Sequence, residues 1–158
     1  MSLRIHVFTA ALVLAPCIVA AQTHPVADAF RETLKYNAKN LVEAAEEMPA
    51  DKYAFKPTPA QMSFAAIQTH LAEGNDVLCG KIGGMNPPTR TKVAESAGKD
   101  ALVARLKESF AFCEQAAAKL DDAKLTEKMT VFGMNTTRAG VILITSLAGL
   151  ETGKLGSR

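Results

Sequence analysis

The chain has 158 residues with 18 lysines and arginines against 16 aspartates and glutamates, a formal charge of +2, and 48% hydrophobic residues. That length suits one domain with one core. The near balance of charge, with no basic run interleaved with aromatics, leaves no electrostatic footprint for nucleic acid.

Arg4 and His6 precede an apolar run from Val7 to Ala20, and small residues at Val19, Ala20 and Ala21 lead into Gln22-Thr23-His24. This charged, apolar, small-residue order is that of a cleavable signal peptide over residues 1–21. The run is about 14 residues, short of the roughly 20 that cross a bilayer, and Pro16 interrupts it. The expectation is an exported protein, periplasmic or secreted, with no stable membrane anchor after cleavage. Pro16 before Cys17 departs from the small residue that precedes a lipidated cysteine. The single domain is then residues 22–158.

Pro25 opens a segment in which Ala27, Phe30, Leu34, Leu41, Ala45 and Met48 recur at helical steps, a helix ended by Pro49. Tyr53, Phe55 and Lys56-Pro57-Thr58-Pro59 read as a proline-pinned loop. Ser63 is a candidate cap for a second helix whose stripe is Phe64, Ile67, Leu71, Leu78 and Ile82, stopped at Gly83-Gly84. Residues 85–98, with Pro87-Pro88, read as an exposed crossing. The third helix has the cleanest stripe: Val103, Leu106, Phe110, Cys113, Ala117 and Leu120. Asp121 to Asn135 reads as a connection with Val131-Phe132 as a short apolar patch, without a convincing strand. Thr136 or Thr137 caps a last apolar helix from Ala139 to Leu150, about three turns, and Glu151 to Arg158 is expected to fray. Four helices without an alternating strand give an all-α four-helix bundle.

After processing, the histidines are His24, beside the cleavage point, and His70. At about 100° per residue His70 lies about 100° from the Leu71 stripe, at the shoulder of the core. Glu73, three residues on, can reach it. The pair reads either as two metal donors or as a shoulder histidine bonded to a neighbour with Glu73 in solvent. Asn75 and Asp76 add oxygen donors on the same helix. Cys79 and Cys113 are either a disulfide, which an oxidising compartment favours, or two buried thiols. No Gly-x-Ser-x-Gly turn, phosphate-binding glycine loop, His-Glu-x-x-His pair or Cys-x-x-Cys pair occurs.

The run Asn40-Leu41-Val42-Glu43-Ala44-Ala45-Glu46-Glu47-Met48-Pro49-Ala50-Asp51-Lys52-Tyr53-Ala54-Phe55-Lys56-Pro57-Thr58-Pro59, then Gln61-Met62-Ser63-Phe64 and Thr69-His70-Leu71, resembles the DinB-like superfamily. The likeness is closest to its exported bacterial metal-binding branch. It extends from about Val26 to Ala148 and includes Phe110-Ala111-Phe112-Cys113 and the Leu120-Asp121-Asp122 turn. The resemblance implies a four-helix bundle with a divalent ion, zinc or nickel, held in many members by three histidines, and His70 matches the second-helix ligand. Some relatives are thiol transferases and others are taken to be hydrolases.

The remaining family ligands come from the last helix, in an Asp-His-x-x-x-His or Asp-His-Tyr-Gly-Gln segment. This chain instead reads Leu150-Glu151-Thr152-Gly153-Lys154-Leu155-Gly156-Ser157-Arg158. The expectation is therefore a truncated or frame-shifted last helix and an incomplete metal site of His70 and Glu73. Zinc wants about three protein ligands, so metal affinity should be weak and catalysis slight or absent. The alternative is a non-catalytic bundle that binds a small apolar ligand or a partner protein over the faces a short last helix leaves open, a homodimer included.

Overall fold

A computed structural model describes residues 24–155, and side chains only as far as residue 147. The expected signal peptide lies outside the described residues. Helix α1 spans Pro25–Glu47, α2 Phe64–Gly83, α3 Lys99–Ala118 and α4 Arg138–Leu155, with strands β1 at Lys128–Val131 and β2 at Met134–Thr137 before α4. Among the described residues no helix is long and apolar enough to cross a membrane.

Local chemistry sets the helix ends. Pro25 sits in the first turn of α1, where its missing N–H costs nothing. At the other end Pro49 forces Met48 out of helical geometry, with ψ at 124°. Three amides at the start of α2 are satisfied: Phe64 N–H donates to the Phe55 carbonyl at 3.0 Å, Ala65 N–H to that of Tyr53 at 2.9 Å, and Ala66 N–H to the Ser63 hydroxyl at 3.0 Å. The loop is anchored by the Tyr53 hydroxyl, which donates to the Ala45 carbonyl at 2.6 Å, and its ring meets Phe64 edge-on at 5.0 Å. Gly84, at φ 63°, closes α2 in the left-handed region while Met85 N–H donates to the Gly80 carbonyl at 2.8 Å.

The linker after Gly84 returns along the bundle to the start of α2, where the Ser63 hydroxyl donates to Glu95 Oε2 at 3.0 Å. Helices α2 and α3 are consequently parallel: Asn75 meets Ser109, Cys79 meets Cys113 and Gly83 meets Ala116, in the same order along both. α1 runs against α3, since Arg31 reaches the Ala117 and Leu120 carbonyls while Glu46 meets Lys107. α4 starts beside the end of α2, through Arg138 on the Lys81 and Ile82 carbonyls, and runs back. The bundle is therefore up, down, down, up, with the long crossing between its two parallel helices.

The core is the expected stripes brought together. All six residues of the α3 stripe are buried, with Leu71, Leu78 and Ile82 of α2 and Ala27, Phe30 and Leu34 of α1 packed against them. Val141 and Ile142 supply the α4 side. Burying a large aliphatic or aromatic side chain contributes about 1.5–3 kcal/mol, so these stripes hold the bundle.

Two expectations are corrected. The connection before α4 is not a structureless loop: Lys128–Val131 and Met134–Thr137 form an antiparallel hairpin with Val131 opposite Met134. Its two-residue turn has both Phe132 and Gly133 at positive φ, 50° and 77°. That is the primed turn that hairpins favour, but with Phe where Asn or Asp usually signals it. The last helix is also longer than three turns. It has 18 residues and passes through Glu151, Thr152 and Lys154, where no proline intervenes and Gly153 weakens the helix by only about 1 kcal/mol. At its start the Thr137 hydroxyl accepts from Gly140 N–H at 3.3 Å, one of the two expected caps.

Candidate functional site

His70 is exposed on α2, on the side turned away from α3. Glu73 is exposed as well, with its carboxylate 3.9 Å from Lys92 Nζ of the linker. The described side chains form no cleft at His70, because Leu71 and Ala72 carry the burial and His70 falls beyond them. Among the described residues no three His, Cys, Asp or Glu side chains converge on one point.

The seam between α2 and α3 is where polar chemistry gathers. Small residues let the helices approach. A Cβ added at Gly83 would lie 2.7 Å from the Ala116 Cα, and Cys79 and Cys113 have Cα atoms 5.0 Å apart, within the span of about 4.4–6.8 Å that a disulfide needs. Their sulfurs are at bonding distance and both residues are buried.

One turn toward the start of both helices, Asn75 Nδ2 donates to the Ser109 hydroxyl at 3.0 Å, and that hydroxyl donates to the Leu106 carbonyl at 2.7 Å. Beside it lies Asp76, only 6% exposed, facing Arg105 at 8%. Arg105 Nη2 donates to Asp76 Oδ2 at 2.5 Å and to the Ala72 carbonyl at 3.2 Å. Arg90 comes from the linker to put Nε on the same Asp76 oxygen at 3.1 Å, and its other nitrogens reach the Glu108 carboxylate at 2.9 Å and carbonyl at 3.2 Å.

This network holds the crossing linker onto the parallel pair. Removing one partner of a buried ion pair typically costs about 3–5 kcal/mol, because the survivor is left charged and dry. Asp76, Arg90 and Arg105 border an open cleft of about 260 Å³ that Pro87, Pro88 and Lys92 also line.

Sequence reasoning singled out Asp76 as an oxygen donor, but Arg105, Ser109 and Arg90 lay outside every stripe it used. The available signal was spacing. Arg105 and Ser109 lie four apart on α3, flanking Leu106, and turn the edge of its apolar stripe toward Asn75 and Asp76.

The described bundle, up-down-down-up with a long crossing between two parallel helices, defines a class of four-helix proteins whose sites are built between facing helices. A sequence profile of the DinB superfamily matches residues 33–145, most of the chain. The chain belongs to the DinB superfamily. Its fold is similar to the crystal structure of a DinB-like protein from Bacillus subtilis, with 17% identity, a TM-score of 0.65, and 82% of this chain covering 87% of that one. It is similar too to a conserved protein from Enterococcus faecalis, with 16% identity, a TM-score of 0.65, and 82% of this chain covering 92% of that one. No curated protein sequence matches the chain.

Proposed function

We propose that this chain is an exported DinB-superfamily bundle that binds a divalent ion such as zinc or nickel only weakly, through His70 and Glu73, and has little or no metal-dependent catalysis. The observation that carries the reading is the donor set. His70 stands exposed, Glu73 is shared with Lys92, and no third donor converges on them among the described residues. A closed zinc site takes four ligands and a catalytic one three plus water, so these residues do not fit a resident ion. Export by residues 1–21 supports a disulfide between Cys79 and Cys113, since the oxidising compartment keeps such a bond.

Zinc titration of the mature chain, followed by calorimetry, tests this. The expected isotherm is shallow, unsaturated at equimolar zinc, and weaker still in His70→Ala. A stoichiometric, tightly held ion that is lost in His70→Ala contradicts the proposal.

A second reading rests on a different observation. Leu143 and Leu147, one turn apart on α4, are 59% and 46% exposed, and Phe132 and Met134 at the hairpin tip are exposed too. These faces suit a non-catalytic bundle that binds an apolar ligand or a partner protein, or pairs with a second copy. A monomer that leaves a hydrophobic dye unbound rules it out.

A further inference from the structure

The charges of α1 keep to one side of the helix. At about 100° per residue, Asp28, Glu32, Lys35, Lys39, Glu43 and Glu46 fall between its outer crest and the flank where Arg31 and Glu46 meet α3. The other flank is turned toward α4, which also packs against α1. Val26, Ala29, Thr33, Asn40 and Ala44 are exposed on that side, Tyr36 stands at the crest, and no charge lies among them. α4 continues the surface. Ala139, Leu143 and Leu147 form its exposed row, and the sequence from Ala139 to Leu147 holds no charged residue.

Together the two helices present a charge-free face, apolar or small except for hydroxyls and amides. We propose that this face pairs two copies of the chain about a two-fold axis, α1 and α4 of one against α4 and α1 of the other. The proposal rests on the apolar-face reading above and narrows its occupant to a second copy. In a two-fold pair each patch meets itself, so a charge would meet its like, whereas apolar groups, hydroxyls and amides are their own complements. Without lysine or arginine the face has no hold on anionic lipid headgroups. It lines neither the cleft beside Asp76 nor the one between Glu46 and Lys107, and small ligands favour clefts. From Val26 to Ala44 the face runs about 27 Å, and with helices about 8–10 Å apart it offers roughly 400–500 Å² per copy. A standard stable interface takes about 800 Å² per partner, so the pair is weak and reversible.

Sedimentation of residues 22–158 over a range of concentrations tests the proposal. The mass should rise from one chain toward two as concentration increases. Leu143→Glu and Tyr36→Glu each place charge on the charge-free face of both copies and should raise the dissociation constant at least about tenfold. Lys39→Glu, on the charged side of α1, should leave it unchanged. All three positions are exposed, so helical circular dichroism should hold, and if one variant loses it the other decides. A single-chain mass at every concentration, or a dimer indifferent to both face changes, overturns the proposal. A single chain that binds a hydrophobic dye, and loses it in Leu143→Glu, overturns the second copy but spares the apolar-ligand reading. A single chain that binds no dye removes both.

Discussion

Asp122 caps a helix from a distance. Its carboxylate accepts from Val26 N–H at 2.9 Å and Ala27 N–H at 2.8 Å, closing the first turn of α1, which no side chain of its own caps. A negative group there also meets the positive end of the helix dipole. Asp122→Ala should lower stability by about 0.5–2 kcal/mol in urea denaturation, and Asp122→Asn by less. Tyr53 makes a second prediction. Burial, with the Asp100 charge behind it, pushes its phenol above the ordinary value of about 10. The folded state therefore keeps its proton where the unfolded chain releases it, so stability is level through neutral pH and falls as pH rises past about 10. Tyr53→Phe should remove that share of the alkaline loss and, with the bond to Ala45 gone, cost about 0.5–1.5 kcal/mol at pH 7. Neither the Asp122 cap nor the Arg105 pair was legible in the sequence, because each joins residues far apart in the chain whose meeting depends on the path of the linker.

The elements were legible to different degrees. α3 was clearest because its stripe steps without interruption, and every stripe residue is buried. Ser63 and Gly84 marked α2 by chemistry that is local and so visible in sequence. The β1–β2 hairpin was not visible, since its strands are four residues each and its turn carries Phe132 at positive φ. The end of α4 was misplaced for the opposite reason: its tail lacks periodicity, yet a helix continues where nothing breaks it. The tight α2–α3 seam carries two predictions. Gly83→Ala puts a methyl against the Ala116 backbone and should cost about 1–3 kcal/mol, read as a lower denaturant midpoint with unchanged slope. Replacing Cys79 and Cys113 together with serine opens a loop of 34 residues and should cost roughly 3–4 kcal/mol, while a protein comprising residues 22–158 should show no free thiol under denaturing conditions.

At the scale of the whole molecule, the four-helix class followed from stripes and spacing, and the DinB likeness from the loop between the first two helices. The direction of the helices did not follow from either. α2 and α3 are parallel because residues 84–98 cross back, and that crossing creates the polar seam beside the core. Helical spacing put His70 beside the Leu71 stripe but cannot say whether a neighbouring element covers it, and His70 is exposed. The fold is expected to stand without a resident metal, as proposed for the His70–Glu73 pair. The most direct measurement is the melting temperature of residues 22–158 before and after chelation, with elemental analysis of the untreated sample. Unchanged melting and a substoichiometric metal content are predicted. An ion present one per chain, whose removal lowers the melting temperature, contradicts the claim, since an ion held at 1,000 times its dissociation constant would contribute about 4 kcal/mol.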